Sequence, residues 1–404
     1  MTINNNLDQY DFEKASSRLS GIIKKTELIY SPVFSKECNN EVYLKPENLQ
    51  VTGAFKVRGA YNKISKLSEK EKQKGLIASS AGNHAQGVAL AAKELGVKAT
   101  IVMPRSTPLI KVEATKALGA EVILYGDCYD EAYNEALQLK EENDYVFIHP
   151  FNDHDIIEGQ GTIGVEILNE LKDTDCIIVP IGGGGLISGI AMAAKKVNPR
   201  VKIIGVEPEG AMAMKLSVDK GELVCLEGVC TIADGVAVKN PGDLTFSIIQ
   251  EYVDEIVTVS DFDIMEACLV LLEKHKLIGE NAGVLSLAAL KKIKEKGKKT
   301  VCLISGGNID VLTISAMINR GLVTRGRILR FTVDLPDQPG ELLKVAKILA
   351  ELQANVIKLD HNQFKTIDRL MEVQLDVTVE TNGHEHISHI LDELNKRGYA
   401  IKEL

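Results

Sequence analysis

Four short segments carry residue types that could do chemistry together. The first, Val51-Thr52-Gly53-Ala54-Phe55-Lys56-Val57-Arg58-Gly59, sets a lysine directly after a Gly-Ala-aromatic turn. An amine that forms a Schiff base with a carbonyl carbon must lose its proton near neutral pH, and partial desolvation brings that about. Most lysines are solvated surface residues, so the flanks of Lys56 alone do not distinguish it. The second segment runs from Ile177-Ile178-Val179-Pro180-Ile181 into Gly182-Gly183-Gly184-Gly185-Leu186-Ile187-Ser188-Gly189. An apolar strand, four glycines and a helical pattern make an anion site. Without Cβ atoms the backbone approaches closely, and its N–H groups join a helix N-terminus on one phosphate. A dinucleotide reading stays open, because Gly183, Gly185 and Gly189 are roughly spaced for it and Glu207 stands where an acidic ribose partner is expected.

The third segment, Ser79-Ser80-Ala81-Gly82-Asn83-His84, follows an apolar run and opens a helical pattern. Its hydroxyls and N–H groups could cradle a carboxylate, and Asn83 could donate to a phenolate oxygen; an ordinary helix cap explains the same residues. The fourth, Cys302-Leu303-Ile304-Ser305-Gly306-Gly307-Asn308, ends another apolar run, so that Ser305 offers a hydroxyl at the carboxyl end of a strand. Other polar residues are weaker candidates. His149-Pro150-Phe151-Asn152-Asp153 reads as a loop that borders a ligand crevice or, more commonly for a loop histidine, is structural or solvated; Gly159-Gln160-Gly161-Thr162 reads as a helix entrance that could lie near a substrate, Gly235 as a close backbone approach to a ligand or equally a turn, and Glu280 as a helix-start acid or a buried carboxyl.

The elements that must position these segments follow from hydrophobic patterning. From about Val42 to Ser305, apolar runs at 75–79, 99–103, 121–125, 176–181, 202–206 and 300–304 alternate with amphipathic stretches such as 86–95, 111–118 and 186–196. Runs that are apolar throughout predict strands covered on both faces, and the rhythm predicts an α/β fold with doubly wound, mostly parallel sheets. The block at about 52–150 holds three such units and is expected to form a smaller lobe. Near residue 325 the pattern changes: Arg320, Arg325, Arg327 and Arg330 gather around Gly321 and Gly326, as in a linker. Beyond it the order β-α-β-β-α-β predicts a ferredoxin-like α+β module. The expected domains are therefore 1–325 and 326–404.

Composition limits the partners. The 404 residues carry a net charge of −9, no Trp and 5% aromatics, which argues against a nucleic-acid partner. No stretch reaches the roughly 18 apolar residues of a membrane span, and the polar start lacks a secretion pattern. The seven cysteines are scattered without a C-x-x-C pair, so neither a metal cluster nor a disulfide framework is expected, and a cytoplasmic setting fits best. A small molecule is the expected ligand.

The series Gly-Ala-Phe-Lys-x-Arg-Gly, Ser-Ala-Gly-Asn-His, Gly-Gly-Gly-Gly-Leu and Ser-Gly-Gly-Asn, in this order, resembles the fold-type II (tryptophan synthase beta-like) enzymes that use pyridoxal 5'-phosphate. Among them it is most similar to the threonine dehydratase (threonine ammonia-lyase) family, over nearly all of residues 10–325. The resemblance implies that Lys56 holds the cofactor covalently and that Phe55 packs beside its ring. Asn83 would meet the ring oxygen, Gly182, Gly183, Gly184, Gly185 and Leu186 the phosphate, and Ser305 the ring nitrogen. Ser80, Ala81, Gly82 and His84 would hold the carboxylate of an amino-acid substrate. The implied reaction converts threonine to 2-oxobutanoate and ammonia, with serine giving pyruvate as a secondary activity. Serine racemases are similar but carry a second acid–base serine where this chain has Ala81, so racemisation is not expected. Their cation site is matched only by Glu207-Pro208, with Ala213 where a second carboxylate is expected, so no metal is assigned.

The tail resembles an ACT domain through Leu335-Pro336-Asp337-Gln338-Pro339-Gly340 after its first strand. That likeness implies an amino-acid effector, isoleucine or valine, and a homo-oligomer (dimer or tetramer). Gly340 is expected to let a ligand approach the backbone at the following helix start.

Overall fold

A strand that is apolar on both faces must be covered by helices on both sides, and the computed structural model of this chain realises that arrangement twice. The structure describes residues 7–362 and 372–403, and divides into two units, Met1–Ile309 and Asp310–Leu404. In the first unit the strands are β1 (Ile29–Tyr30), β2 (Glu41–Pro46), β3 (Leu76–Ser79), β4 (Ala99–Met103), β5 (Glu121–Leu124), β6 (Val146–Phe147), β7 (Cys176–Pro180), β8 (Lys202–Pro208), β9 (Glu255–Val259) and β10 (Lys299–Ile304). They build a six-stranded sheet, β1-β2-β10-β7-β8-β9, and a four-stranded sheet, β5-β4-β3-β6. Every pairing is parallel except β1 with β2. The strands of the smaller sheet fall between residues 76 and 147, and β3, β4 and β7 are buried at every position.

Sequence patterning missed four of these strands. β1 and β6 are two residues long, β2 contains the charged Lys45, and β9 is only half-buried, so none offers a continuous apolar run. Because the strands are parallel, the carboxyl ends of β2, β10 and β7 lie side by side on one edge of the larger sheet. Open sheets of this kind bind ligands at that edge.

The helix Lys56–Ser65 is fastened to that edge by buried charge. Arg58, fully buried, donates to Glu47 beyond β2 (2.8 Å from both Nε and Nη2) and to Glu166 on the helix His154–Glu170 (2.6 and 3.0 Å). Lys45 on β2 completes the cluster by bonding Glu166 at 2.6 Å. Two cations facing two carboxylates leave no net charge to bury. Burial alone would raise the Glu47 pKa, but the Arg58 guanidinium reverses this and holds the carboxyl below the ordinary range.

Glycines let three helices approach one another closely. A Cβ on Gly159 would lie 2.6 Å from the Arg58 carbonyl, and one on Gly189 2.3 Å from that of Ile157. The stretch 159–162 is thus the middle of the helix His154–Glu170 at a helix crossing, and not the helix entrance that its sequence suggested.

In the second unit, β11 (Ile328–Pro336), the helix Glu341–Glu351, β12 (Asn355–Asn362), β13 (Glu372–Glu380), the helix His384–Lys396 and β14 (Ile401–Glu403) give the β-α-β-β-α-β order. The sheet runs β12-β13-β11-β14, all antiparallel, which is the ferredoxin-like arrangement. Both helices cover one face, closing a core of Phe331, Val333, Leu335, Ile348, Leu349, Val377 and Ile390. The helix Val311–Thr324 belongs to this unit, so the division falls at 309/310 rather than at the Arg- and Gly-rich stretch near 325. Gly340 begins the helix Glu341–Glu351 with φ of 99°, and nothing lies within 4 Å of where its Cβ would be. Its left-handed conformation by itself calls for glycine there. No helix among the described residues is long and apolar enough to cross a membrane.

Removing Glu47 leaves two buried cations sharing one carboxylate. Glu47→Ala is expected to destabilise the first unit by about 3–5 kcal/mol, seen as a lower urea midpoint. The pKa of Glu47 is depressed in the folded state, so its contribution is present at neutral pH and is lost as pH falls through the glutamate range. The difference between wild type and variant should therefore shrink in acid.

Candidate active site

The lysine turn and the end of β10 are stitched together by backbone. Phe55 N–H donates to the Ser305 carbonyl (3.1 Å), Gly307 N–H donates to the Gly53 carbonyl (2.8 Å), and Ala54 pairs with Gly306 as an isolated bridge. Ser305 N–H in turn donates to the Gly283 carbonyl at 3.1 Å, and Ser305 is buried. Lys56 therefore starts its helix beside Ser305, although well over two hundred residues separate them in sequence. The Lys56 amine donates to the Pro150 carbonyl at 2.8 Å and lies 5.3 Å from the centre of the Phe55 ring. Desolvation lowers its pKa from the ordinary lysine range to about 8, against an opposing pull from the Glu280 carboxylate. About a tenth of such an amine is unprotonated at pH 7, far more than for an ordinary lysine, as a nucleophile or base requires.

Asn83, at the start of the helix Asn83–Glu94, is held from two sides. Its Nδ2 donates to Glu280 Oε1 (2.6 Å), and its Oδ1 accepts from Asn308 Nδ2 (2.8 Å), which also donates to the Thr52 carbonyl (2.8 Å). These partners set which way the amide points: one Nδ2 hydrogen goes to Glu280, and the other can meet a ligand oxygen. Burial raises the Glu280 pKa to about 7, so the group is shared between its acid and its anion near neutral pH. Asn308 carries no role in the sequence reading, although its segment was singled out for Ser305. Glu280 was left between two roles, and the structure makes it a buried carboxyl in contact with Asn83.

Ser80, Ala81, Gly82 and Asn83 are partly open at the carboxyl end of β3, where Ser80 Oγ accepts from Gly82 N–H at 3.2 Å. His84 is different: it is buried, its Nε2 donates to the Ile148 carbonyl (2.8 Å), and burial with the nearby Lys56 charge lowers its pKa to about 3. The ring is a neutral strut beneath the loop after β6.

At the end of β7 the four glycines run into the helix Gly185–Val197. Gly184 has φ of 92°, a left-handed conformation. A Cβ on Gly183 would lie 2.3 Å from the Phe151 ring. The Gly183 carbonyl is fixed by Thr245 Oγ1 (2.7 Å), Leu186 is buried, and Gly182 lies against Val236 in the turn that contains Gly235. The result is a rigid backbone cradle at a helix N-terminus, suited to a phosphate. Glu207, the acid that a dinucleotide would need, accepts instead from Met214 and Lys215 N–H (3.0 and 2.7 Å). Cradle, amine, oriented amide and buried hydroxyl are the donor set that a phosphorylated pyridine aldehyde requires.

Comparison with known proteins agrees with that donor set. The sequence model of the family described as "Pyridoxal-phosphate dependent enzyme" matches residues 19–306. The L-threonine ammonia-lyase of Thermotoga maritima is 48% identical over 97% of this chain and 98% of its own length. Among solved structures, the processed form of threonine deaminase isoform 2 from Solanum lycopersicum superposes with a TM-score of 0.75 at 41% identity, covering 78% of this chain and 88% of that one. Maize serine racemase superposes with a TM-score of 0.74 at 36% identity, covering 79% and 98%. The chain belongs to the family of pyridoxal-phosphate dependent enzymes.

Proposed function

We propose that this enzyme is a threonine ammonia-lyase, converting L-threonine to 2-oxobutanoate and ammonia, with L-serine to pyruvate as a slower second reaction. The observation that carries the reading is the pairing of the desolvated Lys56 amine with Ala81 at the open end of β3, inside a family whose similar members include the Thermotoga maritima enzyme. The bound cofactor supplies an electron sink for the charge that develops at the substrate Cα. Lys56 Nζ removes the α-proton, and its lowered pKa suits an amine that must alternate between base and acid near neutral pH.

Around it, the glycines at 182–185 and Leu186 would hold the phosphate, Phe55 would pack beside the ring, and Asn83 would donate to the ring oxygen. Ser80, Ala81 and Gly82, with the first turn of the helix behind them, receive the substrate carboxylate, and His84 supports that loop from below. The Ser305 hydroxyl would face the ring nitrogen; unlike a carboxylate, it would not stabilise a proton there, which favours prompt expulsion of a β-substituent over a long-lived carbanion. Ala81 has no proton to deliver to the opposite face of Cα, so inversion lacks its second acid. Loss of the α-proton and of the β-hydroxyl as water leaves an enamine, which hydrolyses to the 2-oxo acid and ammonia.

The ferredoxin-like unit is read as an ACT domain that binds a branched-chain amino acid and controls the rate, in a homo-oligomeric cytoplasmic enzyme. Its backbone turn at Gly340 and the helix that follows suit a carboxylate.

Incubating the holoenzyme with threonine should yield 2-oxobutanoate, and Lys56→Ala should lower that rate by at least about a thousandfold while abolishing the visible band of the lysine-bound cofactor. Robust product from O-acetylserine and sulfide, with none from threonine, would move the assignment to β-replacement. The rate at which cofactor-free protein captures pyridoxal phosphate should rise with pH as the Lys56 amine loses its proton through about pH 8, and level off above it. Isoleucine or valine should change the threonine rate of the full chain; if neither alters rate or melting temperature, the effector assignment fails.

A further inference from the structure

We propose that His149 is a positioning residue that holds the Lys56 amine and the phosphate-binding glycines in one frame, acting through the backbone of residues 150–152. The proposal rests on the cofactor family alone, so it stands or falls separately from the choice of threonine as substrate.

The loop between β6 and the helix His154–Glu170 is where the two halves of the cofactor cradle meet. The Pro150 carbonyl accepts from Lys56 Nζ at 2.8 Å. One residue later, the Phe151 ring fills the space a side chain on Gly183 would need, and the Phe151 carbonyl would lie 2.7 Å from a Cβ on Gly185. Next, Asn152 Nδ2 donates to Asp243 Oδ1 (2.7 Å) and its Oδ1 accepts from Leu244 N–H (3.2 Å), tying the loop to the helix Asp243–Tyr252 behind the glycines. A shift of this tripeptide would move the lysine's acceptor and the wall of the phosphate cradle together.

His149 is what fixes the tripeptide. Its Nδ1 accepts from both Phe151 N–H (3.2 Å) and Asn152 N–H (2.8 Å). Both donors are backbone amides, so Nδ1 must carry a lone pair and the proton must sit on Nε2. A ring protonated on both nitrogens would turn an N–H against two others. The ring is wedged edge-on against Phe151 (4.7 Å between centres), Phe147 (6.1 Å) and Tyr133 (6.4 Å), which limits its rotation. The charged and titratable groups facing it are Lys56, Asp153, Asp243, Tyr133 and His84. Burial and the Lys56 charge lower the His149 pKa to about 4, although the two carboxylates pull the other way, so the acceptor form persists across the neutral range. A solvated loop histidine would need none of these contacts.

Two substitutions separate the acceptor from the ring. His149→Phe keeps an aromatic ring against Phe147, Phe151 and Tyr133 but removes the Nδ1 lone pair. His149→Asn gives up the ring but places an amide oxygen near the Nδ1 position. Full-length protein stripped of cofactor is titrated with pyridoxal phosphate, following the visible band of the lysine-bound form, with the melting temperature of the stripped protein as a folding control. His149→Phe should weaken cofactor binding roughly ten- to hundredfold, as expected when two partly buried amides lose their acceptor, and should slow growth of the band. His149→Asn should bind within about threefold of wild type. Wild-type binding by the Phe variant, or equal weakness in both variants, would overturn the proposal. If the Phe variant does not fold, the Asn variant decides: near-wild-type affinity supports the acceptor role, and a loss of tenfold or more refutes it.

Discussion

The buried guanidinium of Arg58 is the constraint on which the rest of the site depends. It sits two residues beyond Lys56 and reaches carboxylates on two different elements, Glu47 at the end of β2 and Glu166 on the helix His154–Glu170. A hydrophobic contact at this place would tolerate sliding. A planar fork bonded to two carboxylates does not, because each bond has a direction as well as a distance. The helix that begins at Lys56 is thereby fixed against the large sheet and against the helix whose preceding loop holds Phe151. Burying four charges costs solvation, and the match of two cations with two anions offsets that cost without adding much net stability. What the cluster contributes is geometric definition, close to the amine that needs it.

The same economy recurs at each functional side chain: none is positioned by its own segment alone. Asn83 is oriented by Asn308 and Glu280, Phe55 is tied to Ser305 by backbone, and Gly183 is fixed by Thr245. Glycines serve the arrangement in two ways. Gly184 supplies a backbone conformation, while Gly159 and Gly189 supply proximity between helices. The second costs helix stability, about 1 kcal/mol for each glycine in a helix interior, and is offset by the close packing it permits.

How much of this was legible in the sequence follows from how local each feature is. The parallel sheets were legible because β3, β4 and β7 are buried at every position and β10 at all but its first, and the glycine cradle because four successive glycines before a helix have few other uses. Strand β2 escaped notice because Lys45 interrupts it, and that lysine is tolerated because the Thr26 carbonyl and Glu166, far away in sequence, accept from its amine. The helix Val311–Thr324 escaped because glycine and arginine near its end resembled a linker. Asn308 and Glu280 could be read as residues but not as partners of Asn83, since hydrogen bonds across such distances in sequence leave no periodic trace. His84 showed the opposite failing: its motif suggested a ligand contact, while burial made it a strut.

The pairing of β2 with β10 has a consequence for how the chain comes into being. Residues 41–46 lie beside residues 299–304 in the finished sheet, and β2 has only the two-residue β1 on its other flank. During synthesis, at general rates of 5–20 residues per second, β2 must wait on the order of ten to fifty seconds before its main neighbour leaves the ribosome. The small sheet, whose strands all fall between residues 76 and 147, can assemble much earlier. Such non-local pairing is slow to form and leaves an unpaired apolar edge in the interval. The strand that leads into Lys56 is therefore completed near the end of assembly, and a nascent chain truncated before residue 299 would lack the strand that carries Ser305 to the site.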